Sequence, residues 1–225
     1  MNQTEAELGN NFLRWLRSRH ARRYFPAFRA LHPELDLLVG TPDLVASARR
    51  LPRAQALRTA LGSGDVSAQA AANVLALLKP KAARTVPYLQ RATGLTERSL
   101  CRVLSSLAYS KVITETDSGS YRLRQALVPE TELWAFEFKL RDWRRALFQA
   151  LRCKTFASRV VTVFPKSQHA VLTRRLDYFR ERGVGVFVFD PVSGDHIELL
   201  APAPTKPTSR RHHVYATYKV VSAQA

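Results

Sequence analysis

The sequence predicts a mixed α/β (α+β) protein, with a mixed sheet flanked by helices and a chain interrupted by a stretch of different texture. Three observations carry this prediction. Strand-like runs alternate with helical ones within residues 1–52 and again within 126–225. Residues 53–125 lose that rhythm and read as consecutive helices followed by a hairpin. With 225 residues and 46% hydrophobic content, the chain can build one large core or two small ones.

The first section opens with an amphipathic helix over 5–19, where Leu8, Phe12, Trp15 and Leu16 form one stripe. Two β-like runs follow, "RYFPAFRAL" and "DLLVGTPDLVASA", and Gly40-Thr41-Pro42 predicts a turn within the second. The middle section begins with the helix "SAQAAANVLALLK". In "RTVPYLQRATGL", Thr85 can cap a second helix, Pro87 suits its first turn and Gly94 ends it. Thr96 starts a third helix, "TERSLCRVLSSLAYS", and "KVITETDSGSYRLR" reads as strand, Asp-Ser-Gly turn, strand. Helix, helix, turn, helix, hairpin is the order of a winged helix-turn-helix.

At about 100° per residue, Leu100, Val103, Leu104 and Leu107 share one side of the third helix. Arg98, Arg102, Ser105 and Tyr109 share the opposite side, the arrangement a major-groove recognition helix requires.

The last section returns to α/β rhythm. In "ELWAFEFKLRDWRRALFQALR", Trp134, Phe136, Phe138 and Leu140 share one face of a strand, and Ala135, Glu137 and Lys139 share the other. A helix over 142–157 follows, with Asp142 as N-cap. "RVVTVFP" reads as a buried strand, "SQHAVLTRRLDYFRERG" as one helix ending at Gly183, and "VGVFVFDPVSGDHIELL" as a hairpin turning at Ser193-Gly194. Residues 201–213 form a basic, Pro-rich loop, and "VYATYKVV" reads as a closing strand.

The formal net charge of +17 attracts polyanions, and nucleic acid is the commonest such partner. No run of about 18 apolar residues occurs, so no membrane partner is expected. The acidic-polar N-terminus lacks the pattern of a secretory signal. The two cysteines, Cys101 and Cys153, have no CxxC or CxH neighbour and are expected as buried free thiols of a reducing cytoplasm, on a nucleoid-associated protein. His212-His213 reads as a solvated loop pair, and His169 and His196 show no evident partner. No phosphate-binding glycine motif occurs, so no nucleotide cofactor is expected.

Glu137 and Lys139 point the same way directly before a helix bearing Arg144, Arg145, Gln149 and Arg152. With Pro42-Asp43 in "TPDLVA" and Glu137-x-Lys139 in "FEFK", the chain resembles the PD-(D/E)xK nuclease-like superfamily. Gln149 is similar to the glutamine many members carry on the following helix, and Glu7, or second to it Glu5, to an acid on the opening helix. Cys153 stands where many relatives place a tyrosine, and Asp43 lies 94 residues before Glu137, so the middle section must be an insertion in the sheet hairpin.

The resemblance implies a metal-dependent deoxyribonuclease. Asp43 and Glu137 would hold Mg²⁺ or Mn²⁺, and Lys139 would stabilise the developing oxyanion. Arg144, Arg145 and Arg152 would grip the DNA backbone. Double-stranded DNA is the expected partner and repair or defence the expected setting, with a homodimer as a candidate assembly. The alternative is a non-catalytic regulator or architectural protein on a degenerate nuclease-like core, with RNA binding a third reading.

Overall fold

Leu8, Phe12 and Leu16 recur every fourth residue and are all buried along one side of the opening helix. In chain order the described elements begin with α1 (Glu5–Leu16), β1 (Ala30–Pro33), β2 (Leu44–Ser47), α2 (Ala68–Leu77), α3 (Val86–Thr93), α4 (Glu97–Tyr109), β3 (Ile113–Glu115) and β4 (Tyr121–Leu123). They continue with β5 (Leu133–Phe138), α5 (Trp143–Cys153), β6 (Arg159–Pro165), α6 (His169–Thr173), α7 (Leu176–Arg180), β7 (Gly185–Phe189), β8 (Ile197–Leu200) and α8 (Arg210–Ser222). This computed structural model describes residues 3–48, 58, 67–124, 132–192 and 196–223. They fall into two units, one from residues within 1–50 and 132–209, the other from residues within 51–131 and 210–225.

The first unit is a mixed six-stranded sheet in the order β1-β2-β5-β6-β7-β8. β1, β2 and β5 pair antiparallel, β5, β6 and β7 pair parallel, and β8 returns antiparallel on β7. The long excursion between β2 and β5 therefore separates two neighbouring antiparallel strands, with Leu44 opposite Phe136.

α1 packs against the sheet face carrying Trp134, Phe136, Phe138, Phe187 and Phe189. The Phe12 ring lies 5.3–6.0 Å from the rings of Trp15, Phe25, Phe136, Phe138, Phe187 and Phe189. Truncating a fully buried phenylalanine costs about 3–5 kcal/mol. α5 buries Ala146, Leu147, Ala150 and Cys153. Its N-cap is Asp142, whose Oδ1 accepts the Arg145 N–H at 3.0 Å.

In the second unit, Leu75, Leu89, Leu100, Val103, Leu104, Leu107, Ile113 and Leu123 close one core over α2, α3, α4 and the β3–β4 hairpin. Thr85 caps α3, Gly94 ends it at φ +70°, and Thr96 caps α4, all at the positions the turn chemistry requires. A lone bridge between Arg84 and Tyr121 ties the approach to α3 to the hairpin.

Several sequence expectations are corrected. "VYATYKVV" is helical within α8, where His213, Val214, Ala216, Thr217, Val220 and Val221 are buried. That three-and-four spacing on a neighbouring helix outweighs β-branched propensity. The Pro-rich loop accordingly ends at Ser209, His212 and His213 are helical, and residues from 210 on pack with the second unit. The single helix expected before Gly183 is two short ones separated at Arg174 and Arg175. α1 stops at Leu16, and a 3₁₀ turn over His20–Arg23 precedes "RYFPAFRAL", only the end of which is strand. α5 stops at Cys153 rather than 157. Cys101 is exposed; Cys153 is buried, and both are free thiols. The expected boundaries at 52/53 and 125/126 and the Ser193-Gly194 turn lie outside the described residues.

Candidate functional site

Antiparallel pairing of β2 with β5 sets the stage. Asp43 enters β2 one residue before Leu44, and Glu137 follows Phe136, the partner of Leu44. A carboxylate and an acid-x-lysine pair 94 residues apart in sequence thus meet at one end of the sheet. Asp43 Oδ2 accepts the Phe138 N–H at 2.7 Å. Lys139 Nζ donates to Glu5 Oε2 at 2.9 Å and to the Phe138 carbonyl at 2.7 Å, and lies 4.0 Å from Asp43 Oδ2.

The helix acid is therefore Glu5, not Glu7. Glu7 Oε2 accepts the Thr4 N–H at 2.8 Å while Thr4 Oγ1 accepts the Glu7 N–H at 3.1 Å, closing a capping box. Glu5 and Glu7 are two residues apart, so on a helix they point about 200° apart, and only one can reach Lys139. The Thr4-x-x-Glu7 spacing was the signal that could have separated them.

Glu137 is 3% exposed, and Cys153 Sγ donates to its Oε1 at 3.2 Å. Burial, and secondly the neighbouring Asp43 charge, push its pKa from the ordinary 4.5 up to about 7, against the lowering effects of Cys153, Lys139 and Arg152. Burial also raises Asp43, opposed by the Phe138 amide and Lys139 and reinforced by Glu5 and Glu34. Cys153 is pushed up by burial and by Glu137.

Gln149 and Arg152 reach the same place from α5. With Glu137, Cys153 and the Val39–Pro42 loop they line a crevice of about 30 Å³, room for one water or one ion. Gln149 Oε1 is buried with no hydrogen-bond partner among the described residues. Arg152 Nη2 donates to the Val39 carbonyl. Gly40 beside it sits at φ +106°, a backbone conformation that L side chains rarely adopt, so a substitution there is strained whatever the space. On the other side of Asp43 opens a cleft of about 500 Å³, lined among others by Glu5, Asn10, Glu34, Asp43 and Phe138.

Of the residues singled out in the sequence, Asp43, Glu137, Lys139, Gln149 and Arg152 belong to this site. Arg144 and Arg145 are exposed on α5, and the Arg144 guanidinium lies 4.8 Å from the Trp143 ring centroid. Arg98, Arg102, Ser105 and Tyr109 are all exposed on α4 opposite its buried leucine side, in the second unit. Glu34 and Cys153 are contributions to the site that sequence reading did not assign. Glu34 comes from a left-handed residue at φ +49°, and the thiol needed the fold to reveal its partner.

The described residues gather no group of three or more His, Cys, Asp or Glu side chains able to hold a metal ion. The donor set, two carboxylates both raised by burial beside an amide oxygen with no partner among the described residues, fits a hard divalent cation of the Mg²⁺ kind, which keeps several waters. It does not fit a four-ligand zinc centre. No protein family, curated protein or solved structure matches the chain.

Proposed function

We propose that this protein is a metal-dependent DNA endonuclease with a PD-(D/E)xK nuclease-like core, carrying a winged helix-turn-helix that delivers it to duplex DNA. The observation that carries the reading is the meeting of Asp43, Glu137 and Lys139 at the shared end of β2 and β5. Hydrolysis moves a water oxygen onto phosphorus, breaks one P–O ester bond and leaves the proton with the departing alkoxide. Mg²⁺ or Mn²⁺ held by Asp43 and Glu137 would offset phosphate charge and lower the pKa of a water.

The protein's own groups do the rest. Lys139, fixed by Glu5 and the Phe138 carbonyl, directs a positive charge at the oxygens that gain charge in the transition state. Gln149 presents its amide to the crevice beside Glu137. Glu137 ionises near neutrality, so the site becomes competent for a cation as pH rises through about 7. DNA delivery is supported by the order α2, α3, α4, β3, β4, by the Arg84–Tyr121 bridge, and by the Arg98, Arg102, Ser105 and Tyr109 face.

Plasmid cleavage tests the reading. Nicking or linearisation in Mg²⁺ or Mn²⁺, absent in EDTA, is expected to fall about 100-fold or more in Glu137→Ala. Unchanged cutting by that variant would mean the assigned site is wrong. A second reading, a DNA-binding protein with a degenerate core, is favoured by the deep burial of Glu137 under a thiol. It predicts salt-sensitive duplex binding with no cleavage in any divalent cation.

A further inference from the structure

α5 lines the crevice with Gln149, Arg152 and Cys153, yet its outer side is not an ordinary solvated face. Phe148 is 64% exposed there, Leu151 lies beside it at 37%, and Arg144, Arg145 and Arg152 flank them. A second cluster gathers at the start of the helix. Arg144, one turn before Phe148, lies 4.8 Å from the Trp143 ring centroid, and Arg175 lies 5.9 Å from it on another approach. The Tyr178 ring, 45% exposed, lies 5.2 Å from Trp143. Phe148 thus stands between Arg144 and Arg145 one turn before it and Arg152 one turn after, and Arg144 is shared with the separate cluster around Trp143. No ion pair among the described residues uses Arg144, Arg145 or Arg175.

An isolated exposed apolar residue needs no explanation, but an exposed ring with arginines one turn to either side, two of them without an ion pair among the described residues, does. Pairing with a second copy across a two-fold axis would bring this arginine-rich patch against itself. A partner with both negative charge and flat π-faces fits every group, and an unpaired nucleotide strand has both. In an intact duplex the bases are stacked inside and offer no face to Phe148.

We propose that this face holds an unpaired DNA strand, a base stacking on Phe148 and its phosphates on Arg144 and Arg145. The preferred substrate is then duplex DNA carrying a single-stranded segment (a gap, flap or junction) beside the cut, with an intact duplex cut more slowly. The inference rests on the nuclease reading for the identity of the polymer, and it names the substrate class of that site.

The test is fluorescence anisotropy with the full chain in EDTA, using an intact duplex, a gapped duplex and a single strand of equal length. Gapped and single-stranded DNA bind more tightly than the intact duplex. Phe148→Ala lowers affinity for these two about tenfold, leaves the intact duplex within about twofold, and is rescued by Phe148→Trp. Equal losses on all three substrates, or full affinity in Phe148→Leu, would overturn stacking. A sedimenting dimer converted to monomer by Phe148→Ala would overturn it in favour of self-association. Because binding is read without a cation, a failure here and a failure of the cutting chemistry are separate results.

Discussion

The exposed side of α4 and the end of the sheet at β2 and β5 are opposites. Arg98, Arg102, Ser105 and Tyr109 stand in solvent on the side of α4 opposite its buried leucines. At the sheet end, Glu5, Glu34 and Lys139 act on Asp43, and Asp43, Lys139 and Arg152 act on Glu137, in a chain whose net charge is +17. The first surface attracts a polyanion without help. The second is acidic: burial, with Glu5 and Glu34 for Asp43 and with Asp43 for Glu137, holds both carboxyls above their ordinary pKa values. Overall charge therefore says nothing of chemistry. The acidic exception within a basic chain is what singles out the proposed reaction centre.

That contrast can be broken first at Glu137. Its folded pKa of about 7 exceeds the ordinary 4.5, so between those values the folded state binds the extra proton. The stabilisation is fully present below about 4.5 and lost as pH rises through about 7, to a total of about 3 kcal/mol. Glu137→Gln carries no such charge, so urea unfolding should show it more stable than the parent by up to about 3 kcal/mol at pH 8, with the gap gone at pH 4. A gap independent of pH would mean that Glu137 is not strained by its surroundings.

The other half of the contrast responds more weakly. Arg98→Ala and Arg102→Ala should each cost about 1–3 kcal/mol of duplex affinity and flatten its salt dependence, with Glu137→Gln showing no such loss in EDTA. Anisotropy against ionic strength reads this directly, and undiminished affinity in both variants would discard α4 as the DNA-reading helix. The smallest effect separates the two acids of α1. Glu7→Ala should cost about 1 kcal/mol of stability through the lost capping box and leave cleavage per folded molecule unchanged. Glu5→Ala should slow cleavage by releasing Lys139, with little loss of stability. The reverse pattern would return the site to Glu7.

What could be read from the sequence followed from local rules. Thr85, Gly94, Thr96 and Asp142 cap or end helices where their chemistry predicts, and the leucine stripe of α4 is buried as its spacing requires. Alternation along β5 correctly sent Trp134, Phe136 and Phe138 to the aromatic core. The failures are where tertiary context decides. Valines and tyrosines favour strands on local preference alone, whereas α8 is helical with Val214, Tyr215 and Tyr218 packed with the core of the second unit. The exposure of Cys101 and the burial of Cys153 under Glu137 depend on what each helix packs against. The site itself was legible as residue types, but its closure across 94 residues and its acidity required the pairing of β2 with β5.

The most direct measurement is Mn²⁺ binding followed by electron paramagnetic resonance at pH 8, without DNA, for the parent chain, Asp43→Asn, Glu137→Gln and Glu7→Gln. One bound ion per chain, lost in the first two variants and kept in the third, is the predicted result. A parent chain that binds no ion, or binding that survives in both Asp43→Asn and Glu137→Gln, would contradict it.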